Sequence, residues 1–343
     1  MKRLLNTLYV SQPDVYMALD GDNIVLLKGE EKLGRFPLHN LEAIVAFGYT
    51  GASPALMGYC AERHIAITFM TMTGRFLARV IGQSKGNVVL RKTQYFVSAD
   101  EGLSAKMARN FIVAKIFNHK WMLERMTRDY PLRIDVAQFK ETSSQLSSIM
   151  LEVRTCEELE RLRGLEGQAA VSYNKTMGHM ILQQTDDFSF HSRSRRPPLD
   201  NVNAMLSLAY TLLASDMAAA LEAVGLDAYV GFLHRDRPGR ASLALDVMEE
   251  LRGICADRFV LTLINKKIVN KDDFYKKENG AVLMTDEARK RFLAAWQEKK
   301  QDKIVHPYLG EKMSWGLVPH AQSLLLARYL RGDLDEYPPF LWK

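Results

Sequence analysis

The chain has few cysteines, and they do not form the pattern of a disulfide scaffold or a thiolate metal site. Its 343 residues contain only Cys60, Cys156 and Cys255. They are widely spaced, form no C-x-x-C pair and are odd in number, which argues against a secreted, disulfide-stabilised protein. We therefore expect a cytoplasmic protein with reduced thiols.

The sequence also lacks an uninterrupted apolar run of membrane-spanning length. The most apolar stretch, residues 205–226, is interrupted by Asp216 and Glu222, and ionised side chains are costly in a bilayer. Gln12-Pro13-Asp14 stands where a signal peptide would need a small-residue cleavage site. We expect neither a signal peptide nor a membrane partner.

Internal repeats, low-complexity tracts and a charged tail are absent as well. There are 46 Lys and Arg against 40 Asp and Glu, a formal net charge of +6. A modest basic excess makes a polyanion such as nucleic acid a reasonable partner. Because the basic residues are spread along the chain, folding must create any DNA-binding surface.

The hydrophobic patterning predicts an α+β protein of two domains. Short apolar segments separated by turn residues occupy residues 4–80, with one capped helix beginning at Ser53-Pro54. From about residue 88 the period changes to that of amphipathic helices. We expect a β-sandwich-like N-terminal domain over residues 1–85, joined to a larger all-helical domain over residues 86–343. The predicted helices are 104–126, 144–163, 167–184, 201–224, 243–266, 285–303 and 318–331.

Metal-type side chains occur at three places in the helical part. Glu166 has glycines nearby, His234 follows an apolar run, and Asp246 and Glu249 are three residues apart on a predicted helix. Residues three apart share a helix face, and carboxylates with an imidazole suit a divalent cation. Such a cation on a basic chain favours phosphodiester chemistry.

Each of these residues also has a structural interpretation. An exposed glutamate is the default for Glu166, a satisfied core histidine is common, and amphipathic helices ordinarily carry acidic residues opposite their apolar stripe. Spacing alone does not decide between a ligand set and ordinary structural residues.

Arginines crowd the same segments. Guanidinium groups bind phosphate oxygens well, although they are also ordinary solvated charges. Because they cluster around the candidate ligands, we predict contacts with a DNA backbone for Arg193, Arg195, Arg196, Arg237 and Arg252.

Four segments stand in a characteristic order: Leu165–Ala170 with Tyr173, Arg196–Ser207 with Tyr210, Gly231–His234, and Leu245–Arg252. In this order they resemble the CRISPR-associated integrase nuclease family, the catalytic subunit of spacer acquisition. The resemblance runs over nearly the whole chain, and the overall pattern is most similar to the form found beside a type I-C interference system.

The resemblance implies catalytic roles for Glu166, His234, Glu249 and Asp246. The first three would bind Mg²⁺ or Mn²⁺, although which of Asp246 and Glu249 touches the ion stays open because the family often has Asp at the position of Glu249. A 3′-hydroxyl of the incoming DNA would attack a phosphodiester bond directly. Tyr173 and Asn203 are expected to support the site, and no tyrosine is needed as a nucleophile.

The resemblance also implies partners. These are double-stranded DNA, a second copy of the chain dimerising through residues 1–85, and a small ferredoxin-fold adaptation protein that two dimers surround in a heterohexamer-type complex. Two other functions remain open at this point: a stand-alone metal-dependent repair nuclease, and a non-catalytic DNA-binding scaffold.

Overall fold

The computed structural model of the protein describes residues 6–72, 75–80, 82 and 88–343. Contacts divide them into two compact units. The first unit contains the described residues up to Gly82 together with Thr285–Asp302 and Ser314–Leu317. The second contains the described residues of 88–284, with 303–313 and 318–343.

The observed division differs from the expected one at two segments, Thr285–Asp302 and Ser314–Leu317, which belong to the first unit. The predicted boundary between residues 85 and 86 lies outside the described residues. Thr285–Asp302, which the sequence pattern assigned to the domain over 86–343, belongs to the first unit. Helical periodicity identified this segment as a helix but carried no information about which core it joins.

The front of the chain forms strands where apolar alternation predicts them. Their bounds are β1 (Asn6–Val10), β2 (Tyr16–Asp20), β3 (Asn23–Lys28), β4 (Glu31–Pro37), β5 (Leu41–Phe47), β6 (Ala66–Met70) and β7 (Phe76–Val80). The first helix, α1 (Pro54–Glu62), begins at the predicted cap, where Leu56 N donates to Ser53 Oγ at 3.2 Å.

These strands form two sheets around one core. The first has the order β1-β5-β6-β7, with β1, β5 and β6 parallel, and the second is the antiparallel meander β2-β3-β4. Buried side chains from both sheets and from α1 pack together, among them Met17, Ile24, Ile44, Leu56 and Ile67. Parallel pairing of β5 with β6 requires a crossover, and α1 supplies it.

Helices dominate the second unit. They are α2 (Val88–Ala99), α3 (Glu101–Asp129), α4 (Val136–Thr155), α5 (Leu159–Met177), α6 (Asn201–Ala223), α7 (Ser242–Leu251), α8 (Arg258–Asn265) and α10 (Val318–Leu330), whereas α9 (Asp286–Gln301) belongs to the first unit. A π-helical segment, Arg252–Asp257, joins α7 to α8.

The structure corrects the prediction of an all-helical C-terminal domain. Two short two-stranded sheets follow residue 270, and their strands are β8 (Phe274–Lys276), β9 (Val282–Met284), β10 (Lys303–Val305) and β11 (Lys312–Ser314). Three-residue strands give too short an alternation to separate from irregular chain by pattern.

The predicted helix boundaries on both sides of Glu166 are wrong, and the error affects the site. Residues 144–163 were expected to be one helix, but the chain breaks at Cys156–Glu158, between α4 and α5. Glu166 therefore lies in the middle of α5 rather than at a junction. The break separates two helices that both have apolar faces, so the apolar period continues across it.

Helix α6 is long and apolar enough to cross a membrane by composition alone. Of its most apolar 18-residue stretch, 61% is buried inside the fold, as in the core helix of a globular domain. It begins at the predicted cap, where Asn203 N donates to Asp200 Oδ1 at 2.7 Å.

Candidate functional site

Three helices bring two of the predicted carboxylates to one buried ammonium group. Lys115 on α3 is 2% exposed, and its Nζ contacts Glu166 Oε1 on α5 and lies 2.7 Å from Glu249 Oε2 on α7. Glu249 is 2% exposed and Glu166 26%. Ionised groups are rarely buried unless they are paired, so neither carboxylate is an ordinary solvated residue.

Glu249 holds a second cation on its other oxygen. Arg252, one turn later, lies 2.7 Å from Glu249 Oε1. Burial alone would raise the pKa of Glu249, but the charges of Arg252 and Lys115, with a smaller effect of His234, hold it at about 2. Glu249 is therefore a carboxylate at neutral pH, and the imidazole of His234 is near enough to influence it.

Asp246 organises the loop that carries His234. Its Oδ2 accepts from Phe232 N and Leu233 N at 2.6 and 2.9 Å. Its Oδ1 accepts from His234 N at 3.0 Å and lies 2.6 Å from His234 Nδ1. Because this fully buried carboxylate is used by four groups of one loop, the structure gives it the geometry of a positioning residue.

The loop can approach α7 because residue 231 is glycine. A Cβ at Gly231 would lie 2.7 Å from Asp246 Oδ2 and 2.9 Å from the backbone of Ser242. On the other side, Arg163 Nε of α5 donates to Leu233 O at 2.7 Å. The loop is thus held between the two helices that carry Glu166 and Glu249.

By residue type, Glu166, Glu249 and His234 suit a divalent cation. Glu166 and Glu249 already share one cation, the ammonium of Lys115. A carboxylate on His234 Nδ1 favours the proton there and directs the lone pair of Nε2 outward, the arrangement usual for a metal-binding histidine. Among the described residues, no three His, Cys, Asp or Glu side chains are placed so that they could hold a metal ion together, and the ammonium of Lys115 lies where the carboxylates of Glu166 and Glu249 converge.

Beside these residues, the π-helical segment Arg252–Asp257 contributes Asp257 to a second buried cluster, which also contains His119, Tyr173 and Tyr210. Tyr210 donates to Asp257 Oδ1, and His119 stacks on Tyr173 with ring centroids 3.7 Å apart. Burial raises the pKa of Asp257 to about 6 and raises that of Tyr173 well above its usual value. A fully buried phenol with a raised pKa is a poor nucleophile, so the expected supporting role of Tyr173 stays a prediction.

Asn203 supports the arginine-rich segment before α6. Its Oδ1 accepts from Arg193 Nη1 at 2.6 Å and from Ser194 N at 3.1 Å, while its Nδ2 donates to Ser192 O at 2.9 Å and to Asp200 Oδ2 at 2.6 Å. This buried amide therefore fixes the path of the segment.

The five arginines predicted to contact DNA divide into two groups. Arg193 and Arg252 point inward, with guanidinium carbons 5.2 and 4.9 Å from the ring centroid of Tyr210. Arg195, Arg196 and Arg237 are exposed. The second group has the accessibility that a DNA backbone requires, whereas the first is part of the packing around the site.

The residue next to Glu249 anchors the C-terminal segment. Glu250 is fully buried, and it accepts from Tyr337 Oη at 2.7 Å, Gln322 Nε2 at 2.7 Å and Phe340 N at 2.9 Å. Asn118 on α3 donates to Glu250 O and Phe340 O, each at 2.8 Å. The tail thereby ties α3 to α7, the helices that carry Lys115 and Glu249.

Comparison with known proteins decides the family. The model of the CRISPR associated protein Cas1 family matches residues 8–298. The chain belongs to the Cas1 family. It is 44% identical to CRISPR-associated endonuclease Cas1 1 of Chlorobaculum tepidum and 48% identical to CRISPR-associated endonuclease Cas1 2 of Rhodospirillum rubrum, over 100% of both chains in each case.

Solved structures share the Cas1 fold at lower identity. A casposase bound to integration product has a TM-score of 0.84 at 22% identity, covering 99% of this chain and 95% of its own. A chain of a Cas6-RT-Cas1–Cas2 complex has a TM-score of 0.81 at 22% identity, covering 100% of this chain and 36% of its own. These matches show a Cas1 fold of mixed α and β content, and a strand-rich front with a helical remainder is consistent with it.

Sequence reasoning missed Lys115. A signal was present, since Lys115 lies four residues after Phe111 in the apolar stripe of a predicted helix, and such positions share a face. A lysine on an apolar face indicates either a snorkelling side chain or a buried ion pair. In this Cas1-family chain Lys115 forms a buried ion pair.

Proposed function

We propose that this protein is the metal-dependent integrase and endonuclease of CRISPR adaptation, joining short DNA duplexes to a repeat array. The observation that carries the proposal is that Glu166 and Glu249 converge on one cation beside His234, whose ring Asp246 orients. The names of the relatives from C. tepidum and R. rubrum, both called endonucleases, support phosphodiester chemistry for this chain.

In this proposal Glu166, Glu249 and Nε2 of His234 hold Mg²⁺ or Mn²⁺. A divalent cation bound there supplies polarisation of the scissile phosphate and activation of the attacking 3′-hydroxyl or water. Asp246 acts through the loop, since its oxygens are engaged by His234 and the preceding backbone amides. Glu249, rather than Asp246, is thus the proposed direct ligand on α7.

The exposed arginines Arg195, Arg196 and Arg237 are the proposed contacts for the DNA backbone. Their accessibility and positive charge suit phosphate oxygens. Arg193 and Arg252 instead pack against Tyr210, so we assign them to support of the site. Replacing either one is expected to disturb folding around the carboxylates as well as DNA binding.

We further propose that the protein works in the cytoplasm as a homodimer, with a small ferredoxin-fold adaptation protein between two dimers and double-stranded DNA as substrate. The sequence resemblance to the type I-C form motivates this assembly. The similarity in fold to a casposase bound to integration product and to a chain of a Cas6-RT-Cas1–Cas2 complex is compatible with it.

An integration assay tests the proposed activity. Purified protein and its small partner are given a short duplex with free 3′-hydroxyls and a supercoiled plasmid bearing a leader and repeat. Mg²⁺, Mn²⁺ and EDTA are compared for the wild type and Glu166→Ala. Glu141→Ala, an exposed glutamate on α4, is the control.

The expected result is metal-dependent joining by the wild type and by Glu141→Ala, lost in Glu166→Ala. Hydrolysis without joining would instead identify a repair nuclease. Intact DNA binding without any chemistry, in a complex shown to be assembled, would identify a non-catalytic scaffold.

A further inference from the structure

Lys115 balances the charge of the proposed metal site from within the protein. Its ammonium group contacts one oxygen of Glu166 and lies 2.7 Å from Glu249, and Arg252 lies 2.7 Å from the other oxygen of Glu249. The two carboxylates therefore face two cations. All of these side chains except Glu166 are largely buried.

We propose that Lys115 is a tethered counter-ion that competes with the divalent cation and makes cation binding depend on DNA phosphate. This inference rests on the proposed function, because it takes Glu166 and Glu249 as ligands. It adds a property of the free protein, namely that the divalent cation binds weakly until DNA is present.

The physical reason is the number of positive charges that would meet beside Glu166 and Glu249, where solvent screens them poorly. A divalent cation brings two positive charges to a place where Lys115 and Arg252 already neutralise Glu166 and Glu249. Like charges repel strongly where water is excluded. The cation must also separate the ammonium from both carboxylates, and a buried charge that loses its partner is costly.

DNA supplies the missing negative charge. Each phosphate group carries one, and its oxygens are acceptors both for a hard cation and for an ammonium group. A phosphate at the site would therefore restore neutrality and give Lys115 a new partner. Cation and DNA should accordingly bind with positive coupling, and linkage requires each to strengthen the other by the same factor.

The position of Lys115 favours this function over that of a general structural ion pair. A buried ion pair is often no more stabilising than apolar residues of similar size. Here a single ammonium bridges side chains from two other helices, and both are candidate ligands. It is thus placed to influence cation binding directly.

The test measures Mn²⁺ affinity of the full-length protein by electron paramagnetic resonance of the unbound ion. Measurements are made with and without a short duplex whose 3′ ends are dideoxy-blocked, so that no joining occurs. The variants are Lys115→Met and the control Lys300→Met. Lys300 is also a buried lysine, but it belongs to the first unit, where it contacts Thr7 at 3.2 Å and Glu42 at 3.8 Å.

For the wild type and Lys300→Met, the duplex should tighten Mn²⁺ binding by about 5- to 150-fold, the usual range of coupling between sites. In Lys115→Met, Mn²⁺ should bind about tenfold or more tightly without DNA, and the duplex should add correspondingly less. Equal or weaker binding by folded Lys115→Met would overturn the inference while leaving the proposed function intact.

The wild type alone provides a second test in case Lys115→Met does not fold. If the duplex leaves Mn²⁺ affinity of the wild type unchanged, the inference fails whatever the variant does. If the wild type binds no Mn²⁺ even with the duplex, the proposed metal site fails, and the inference fails with it.

Discussion

Among single residues, two neighbouring carboxylates on one helix make different contacts. Asp246 and Glu249 are three positions apart on α7, yet Asp246 contacts the backbone and imidazole of the His234 loop while Glu249 contacts Lys115 and Arg252. The difference arises from what packs against each side chain. Residue type alone does not distinguish a cation ligand from a residue that orients one.

The assignment of Asp246 can be tested by Asp246→Asn. The amide of asparagine keeps the shape of the carboxylate but loses its charge. In the wild type both oxygens of Asp246 accept from the His234 loop, whereas in the variant an NH₂ group would face those same donors. Because loss of a partner that orients a metal-binding histidine typically costs 10- to 100-fold, we expect roughly that reduction in joining rate and in Mn²⁺ affinity.

The control is Asp236→Asn, an exposed residue of the same loop, which should stay close to the wild type. Wild-type joining and Mn²⁺ affinity in Asp246→Asn would show that His234 needs no such orientation and would contradict the assignment.

Much of the candidate site was accessible from the sequence, but its pairing was not. Glu166, His234, Asp246 and Glu249 could be selected because their residue types suit a cation and because the resemblance to a known family implies roles for them. Lys115 stands out only as a lysine in an apolar stripe. Its pairing with Glu166 and Glu249 could not be predicted, because it depends on α3, α5 and α7 meeting at one point. That meeting is a long-range property, and helical periodicity reports only which face of each helix is buried.

Among the helices, the π-helical segment between α7 and α8 joins two buried clusters. One is the set of ion pairs between Lys115, Glu166 and Glu249, and the other surrounds Asp257. The segment carries Arg252 at one end and Asp257 at the other. Gly253 lets α3 approach, since a Cβ there would lie 2.4 Å from the ring of His119. Single π-turns inside helices are frequent at functional sites, and here the turn brings both charged residues toward the interior.

The buried ring of His119 makes stability depend on pH. Burial lowers the pKa of His119 well below its ordinary 6.5, and Lys115 adds to the effect although Glu249 opposes it. Below pH 6.5 the unfolded chain binds a proton that the folded protein excludes, so this contribution lowers stability as the pH falls and vanishes above pH 6.5.

We expect His119→Phe, which keeps an aromatic ring against Tyr173, to reduce the loss of stability between pH 7 and pH 5. The difference has an upper bound of about 2 kcal/mol, from about 1.4 kcal/mol for each pH unit below 6.5 at which only the unfolded chain binds the proton. Chemical denaturation of both proteins at the two pH values measures it. Identical losses would mean that His119 is protonated in the folded state.

For the whole molecule, a basic excess can favour DNA binding only where folding leaves the basic side chains exposed. Arg195 and Arg196 are exposed in the segment that Asn203 and Asp200 hold in place. Phosphate contacts release counterions, so each one adds to the salt dependence of DNA affinity. The modest net charge of +6 therefore says less about DNA binding than the location of these side chains.

The double variant Arg195→Ala/Arg196→Ala should bind a short duplex more weakly, and its plot of log affinity against log salt should be shallower by about 2. Lys266→Ala, also exposed, should leave the slope unchanged. Fluorescence anisotropy at several salt concentrations gives the slopes. An unaltered slope in the double variant would place the DNA elsewhere on the surface.

Glu166, His234 and Glu249 are proposed to hold a cation against the scissile phosphate, and replacing a DNA oxygen by sulfur probes that contact. One non-bridging oxygen of that phosphate is replaced by sulfur, and each stereoisomer is assayed for joining. Sulfur is a poor ligand for the hard Mg²⁺ ion. We predict that one stereoisomer fails with Mg²⁺ and is joined again with Mn²⁺ by the wild type, but not by Glu166→Ala. Equal joining of both stereoisomers and of the unmodified DNA in Mg²⁺ would show that no cation contacts a non-bridging oxygen of this phosphate.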